Sequence, residues 1–298
     1  RARLAPPARG DPPGGSGVAV RAALAAAALA ALLLPPAARA EERPLWEAGI
    51  GPVFLYLPDY RGADEGRGYV YPFPYIVYRG DRFKVDREGI RGIFFQSDRV
   101  ELDVSLYGTP PIDSSENSAR QGMPDLDATV EVGPVLDIVL ARDRKIDYNY
   151  RLRLRLPARA VIATDFSHWQ NQGWVFYPHL NLDLRPEFLG GRWNVGFNAG
   201  PLYGTRKYHE YFYGVPTQFA TPERPAYEAR GGYSGLTLLG AISRRFDKFW
   251  VGAYVRYDNL SSAVFDSSPL VKQNYALAGG IAIAWVFAES GIKVITPD

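Results

Sequence analysis

The sequence predicts an all-β fold, a closed antiparallel transmembrane β-barrel, on three observations. Polar and apolar residues alternate with a period of two through most of the chain after Glu41, the mark of strands with one wet and one dry face. The connections between those strands alternate in length, one tight and the next long, as when short turns gather on one side of a membrane and long loops on the other. An apolar export segment precedes all of this.

That segment comes first in chain order. Arg21 leads into an apolar run, Ala22–Leu34, whose thirteen residues fall short of the roughly twenty that a membrane-spanning helix needs. Pro35 and Pro36 break it, and Ala38-Arg39-Ala40 has the small-x-small pattern of a signal peptidase site. Residues 1–40 are therefore expected to be a disordered leader and signal peptide cleaved after Ala40, with a barrel over 41–287 and a tail over 288–298. The Pro/Gly/Arg-rich stretch 1–17 carries no initiator Met, and a translation start at Val18 or Val20 is expected.

Composition narrows the function classes. A net charge of +2 without a basic stripe argues against nucleic acid. With no Cys, thiol nucleophiles, Cys-based zinc sites and disulfides are excluded. The three His (His168, His179, His209) are too few for a His-rich metal site, and neither metal nor cofactor is expected. Tyrosine is the commonest aromatic, 19 against 15 Phe and 6 Trp, which suits rings at a water–apolar boundary.

No stretch of eighteen apolar residues follows Glu41, so the expected spans are strands. They are 46–57, 69–79, 82–87, 91–96, 99–107, 128–141, 147–163, 173–185, 192–205, 231–246, 249–259 and 275–287, twelve in all. The segment 82–96 is short for a tilted spanning strand, and omitting it leaves ten with the same parity. In the clearest strand Tyr148, Tyr150, Leu152, Leu154 and Leu156 face one way and Arg151, Arg153 and Arg155 the other. The long connections are 58–68, 108–127, 164–172, 206–230 and 260–274. Prolines inside strands, three of them in Gly-Pro pairs at 51–52, 133–134 and 200–201, are expected to mark bulges or bends in a sheet without a free edge. In the last strand Trp285 and Phe287 are the candidate signal for barrel-assembly machinery, although eleven residues follow.

Several segments resemble the MipA/OmpV family: Tyr-Arg-Gly-Ala-Asp at 60–64, Tyr-Pro-Phe-Pro-Tyr-Ile-Val-Tyr-Arg-Gly-Asp at 71–81, Tyr-Phe-Tyr-Gly-Val at 211–215, Pro-Ala-Tyr-Glu-Ala-Arg-Gly-Gly at 225–232 and Asp-Ser-Ser-Pro-Leu-Val at 266–271. The resemblance runs from about residue 46 to 287 in the family's order. It implies a non-enzymatic outer-membrane barrel. The founding member is described as a scaffold joining a lytic transglycosylase to a penicillin-binding protein, which implies periplasmic murein enzymes as partners beside outer-membrane lipid and lipopolysaccharide. The alternative is a diffusion channel for small, anionic solutes.

The candidate lumen charges are Arg151, Arg153, Arg155, Arg185, Asp137, Asp183, Asp103, Glu131 and Glu101. They serve either an anion-preferring lumen or a salt-bridged filling of a narrow barrel. A turn centred near Arg144 places Asp137 opposite Arg151. Tyr208, Tyr211, Phe212 and Tyr213 are read as an aromatic rim beside a long loop, or as a contact surface. Asp165, Ser167 and His168 resemble a hydrolase set, but sequence neighbours rarely acquire triad geometry, and no Gly-x-Ser-x-Gly elbow is present. Asp59, Asp64 and Glu65 lie among glycines without an EF-hand spacing and read as a solvated loop.

Overall fold

The computed structural model describes residues 42–86, 89–143 and 149–295; the leader and its cleavage site lie outside them. The elements are β1 (Glu42–Pro44), β2 (Trp46–Pro58), β3 (Gly66–Arg79), β4 (Phe83–Asp86), β5 (Gly89–Gln96), β6 (Val100–Thr109), β7 (Ala128–Arg142) and β8 (Tyr150–Thr164). Then come β9 (Trp169–Phe176), β10 (His179–Leu184), β11 (Glu187–Phe188), β12 (Gly191–Arg192), β13 (Asn194–Gly204), helix α1 (Arg206–Tyr213), β14 (Gly232–Arg245), β15 (Phe249–Asn259), β16 (Tyr275–Glu289) and β17 (Lys293–Ile295).

Neighbours in sequence pair antiparallel around the sheet until β16 meets β2, closing a twelve-stranded barrel in which β9 and β10 share one position. Closure spares the sheet most of the free edge that would leave backbone groups without water in lipid. The 83–96 hairpin belongs to the wall, so the ten-strand alternative falls. Both ends of the described chain leave on the short-turn side, where β1 pairs with β17. The expected tail is therefore structured as far as Ile295, after β16 has run on to Glu289.

The outer surface carries the pattern of a lipid-facing belt. Ile50, Phe54, Val70, Ile76, Leu180, Leu238, Ile281 and Ile283 are exposed along its middle. Exposed tyrosines (Tyr56, Tyr203, Tyr257, Tyr275) stand at the long-loop ends of their strands, while Trp46, Phe83, Phe249, Trp285 and Phe287 stand at the short-turn ends. Two aromatic girdles bounding an apolar band define a membrane span.

Three expectations change. The predicted strand 173–185 starts earlier, at Trp169, and breaks at Tyr177-Pro178. The 164–172 loop accordingly shrinks to 165–168, a tight turn in which Asp165 Oδ1 accepts the N–H groups of Ser167 (2.9 Å) and His168 (2.6 Å). The Gly-Pro pairs at 51–52 and 133–134 are not bulges, since register is the same on both sides (Ile50↔Trp285 and Val53↔Ala282; Val132↔Ala160 and Val135↔Pro157); a shift occurs only beside the third, between Pro201 and Tyr203. In each pair the carbonyl facing the proline (Ile283, Ala158 or Pro178) closes over the preceding glycine, where a Cβ would collide with it. Proline removes the donor and glycine admits the oxygen.

Candidate functional site

Along β8 the odd-numbered side chains turn inward, and register decides which acids they meet. A bulge between Val139 and Ala141 shifts the β7–β8 hairpin, so Asp137 stands opposite Arg155, not Arg151 as a turn at Arg144 implied; Arg151 stands opposite Arg142. On the other side Arg151 faces Asp183 and Arg153 faces Asn181. Arg153 donates to Asp137 Oδ2 and Asp183 Oδ2, each at 2.8 Å. Arg155 Nε lies 3.1 Å from Asp137, and Arg151 Nε lies 3.5 Å from Asp183. Asp103, near the short-turn end of β6, and Arg185, one residue past β10, are also buried. Glu101 binds Arg91 at 3.0 Å, and Arg91 also binds Asp86 at 2.6 Å. Glu131 binds Arg159 at 2.9 Å.

Alternation alone did not identify the other interior pairs. Glu47 accepts from Arg79 (2.8 Å) and Arg245 (2.7 Å). Asp258 is bound by Arg61 (3.3 Å) and Arg256 (3.0 Å) and accepts from Thr237 Oγ1 at 2.5 Å. Between these polar layers Trp250 packs on Phe73 and Tyr75 with ring centroids 5.6 and 5.5 Å apart, and Ala284, Val286 and Val77 complete an apolar patch. The interior is filled by compensated charge and aromatic rings, as small barrels require.

The long loops fold over the outer mouth as one cap. Tyr60, Ile112, Leu126, Tyr213, Val215, Leu260, Phe265 and Leu270, drawn from four loops, share a single core. Hydrogen bonds stitch it: Tyr60 OH to Leu270 O (2.8 Å), Tyr213 OH to Arg61 O (3.0 Å), Ser268 Oγ to Tyr213 O (2.7 Å) and Arg224 Nη1 to Ala119 O (3.0 Å). The segment read as an aromatic rim is α1, part of this cap. Tyr208 and Tyr213 are buried, Tyr211 and Phe212 are half-buried, and none joins the lipid-facing girdle. The helical cue was the i, i+4 spacing of Tyr208 with Phe212 and His209 with Tyr213. His209 is wholly buried, its Nε2 2.6 Å from Ser234 Oγ, its Nδ1 2.5 Å from Arg230 O and its ring edge-on to Phe265. Burial pushes its imidazole down to about 4.

The remaining acidic and polar candidates have structural partners, apart from Asp64, which is exposed. Asp165, Ser167 and His168 are exposed, and Asp165 serves as the acceptor that shapes its turn, which holds its carboxyl well below the usual range. Ser167 Oγ lies 2.8 Å from both His168 Nδ1 and Asp165 Oδ1, so serine and acid share one side of the imidazole instead of flanking it. Asp59 is bound by Arg67 (3.1 Å) and Asn117 (2.8 Å), and Glu65 accepts the Ser118 N–H at 3.1 Å, tying loop 59–65 to loop 110–127. Trp285 and Phe287 face lipid near the periplasmic end of β16.

A twelve-stranded barrel with lipid-facing girdles, a filled interior and a capped mouth is an outer-membrane β-barrel protein. The family described as MltA-interacting protein MipA matches residues 50–287, and the chain belongs to that family. It is 30% identical to outer membrane protein OmpV of Vibrio cholerae, over 64% of this chain and 70% of that one. It is 29% identical to outer membrane protein Omp26La of Vibrio anguillarum, over 70% and 76% of the two chains. It is 27% identical to the MltA-interacting protein of Escherichia coli K12, over 80% and 88%.

Proposed function

We propose that this barrel is a non-enzymatic scaffold that anchors a docking face in the outer membrane and holds a murein-processing enzyme on its periplasmic side. The observation that carries this reading is the filled, ion-paired interior beneath a packed cap, which favours a role for the surfaces over one for a pore. The name of the Escherichia coli relative, MltA-interacting protein, points to the partner class. Lipid and lipopolysaccharide surround the apolar belt, and Trp285 and Phe287 serve barrel assembly in this reading.

The docking face centres on the turn between β10 and β13. There β11 and β12 form a miniature hairpin with Leu189 at its tip, 80% exposed and at φ +50°. Phe188 stacks on Trp193 at 5.2 Å, and Arg244 donates to Leu189 O and Gly190 O, each at 2.9 Å. A leucine held rigidly toward water in a strained backbone region suits binding better than solvation. Ile292 and Ile295 are exposed at the same end of the barrel. The immobilised wild-type barrel should retain a purified lytic transglycosylase of the MltA class, and Leu189→Glu should reduce retention at least about tenfold with gel mobility unchanged. No retention by the wild type, or steady conductance in planar bilayers, overturns the reading.

A further inference from the structure

The barrel closes on one side through a hairpin much shorter than the strands that flank it. β4 meets β3 only at Tyr78↔Val85 and Arg79↔Lys84, and β5 reaches no higher on β6 than Arg91↔Ser105. Asp86 pairs with Gly89, so the hairpin turns back after a β4 of four residues. Above it, β3 from Gly66 to Val77 and β6 from Leu106 to Thr109 have no strand partner on their facing sides among the described residues. The sheet closes through this hairpin at the short-turn end, and above the hairpin the prolines of β3 acquire a reason. The Arg79 N–H donates to Leu45 O on the β2 side, so odd-numbered donors point to β2 and even-numbered ones to the gap. Pro72 and Pro74 delete two donors from the edge that has nothing to bond.

The gap is framed. Arg67 spans its top, bound to Asp59 and to Glu116 of the 110–127 loop. Tyr69 and Tyr71 stack at 5.6 Å on one side, with Tyr107 on β6. By strand parity all three turn inward, yet Tyr71 and Tyr107 are 47% and 46% exposed, while Tyr75 lower on β3 is 6% exposed. A cavity of about 400 Å³ lies between the Arg67–Tyr71 edge and the loop residues Pro110–Asp113 and Asp125–Asp127. At a rise of ~3.3 Å per residue and a tilt of ~40°, Tyr71 stands about 20 Å above Arg79, within an apolar band ~25 Å tall. Exposed Val70 and Ile76 flank the gap, so it opens sideways into outer-leaflet hydrocarbon.

The geometry points to a lateral binding site, reached from the outer leaflet, for an amphiphile with an alkyl or aromatic body and a cationic head. The body meets the tyrosine faces, Pro111 and Ile112. At the head end, Asp113, Asp125 and Asp127 line the cavity, while Arg67 is already neutralised by Asp59 and Glu116. The mouth is thus negative, and tyrosine faces add attraction for a cation. A partner β-strand is the wrong occupant, because this edge lacks two donors and lies in lipid.

Because the chain has no Cys, single introduced thiols report access. In bilayer nanodiscs, Tyr71→Cys, lipid-facing Val70→Cys and, as a closed-wall control, Ala282→Cys are treated with a bilayer-dissolved N-alkyl maleimide, after each is shown to keep wild-type gel mobility. Tyr71→Cys should react within about tenfold of Val70→Cys, and Ala282→Cys more than about a hundredfold more slowly. Dodecylamine should slow labelling of Tyr71→Cys at least about tenfold relative to Val70→Cys, with dodecanoate and dodecanol inactive. A Tyr71→Cys as protected as Ala282→Cys removes the window. Equal protection by dodecanoate removes the cationic assignment.

Discussion

Replacing Arg153 by alanine asks whether the ion-paired interior is dry. The side chain is 3% exposed and donates to two carboxylates at 2.8 Å. Removing one partner of a buried pair costs about 3–5 kcal/mol, because the charge left behind has lost both water and partner. Here each carboxylate keeps a second arginine, Asp137 through Arg155 at 3.1 Å and Asp183 through Arg151 at 3.5 Å. The lower end of that range, about 3 kcal/mol, is therefore expected. The baseline is the Arg206–Glu228 pair on the cap, 66% and 83% exposed, where Arg206→Ala should cost ~0–1 kcal/mol. The assay is reversible urea unfolding in lipid bilayers followed by tryptophan fluorescence. With a slope of about 3 kcal/mol/M, the midpoint should fall by about 1 M for Arg153→Ala and by about 0.3 M or less for Arg206→Ala. Equal midpoints for the two variants would refute the reasoning, since water would then be solvating the lumen charges.

Three further outcomes follow from the cap and the wall. Burial holds His209 at about 4, below the ~6.5 of an unfolded chain, so the unfolded state gains its proton first as pH falls. The cap should keep this contribution in full above pH ~6.5 and lose about 3 kcal/mol of it on acidification to pH ~4, seen as faster limited proteolysis of the 205–231 loop and absent in His209→Gln. Phe265 is fully buried and stacked on Tyr213 at 3.7 Å. Phe265→Ala should loosen the cap by about 3–5 kcal/mol, raising loop proteolysis while the barrel's gel mobility stays unchanged. Gly133→Ala drives a Cβ into the Ala158 carbonyl and should lower the urea midpoint through a cost of about 1–3 kcal/mol, whereas Gly92→Ala, in open space, should leave it unmoved.

A period of two is a local property of the chain, so the inward turn of Arg151, Arg153 and Arg155 and the outward turn of Leu152 and Leu154 were legible from sequence alone. So were the barrel and its parity, which follow from alternation and loop length; the choice of twelve strands over ten waited on the pairing of the 83–96 hairpin. Pairing was not legible, because one bulge and the turn centre set the register, and a displacement of four residues moved Asp137 from Arg151 to Arg155. Nor was α1: an eight-residue segment is too short for its period to declare itself, and it is held by packing against β9 and Phe265. The cap joins residues as far apart as Tyr60 and Leu270, and the missing wall beside β3 is visible only once the hairpin's reach is measured against its neighbours. Sequence by itself determined which face of each strand meets lipid, because that choice is made residue by residue. Tertiary structure alone decided which charges meet, what closes the mouth and where the wall stays open, because each depends on register and on contacts between segments distant in the chain.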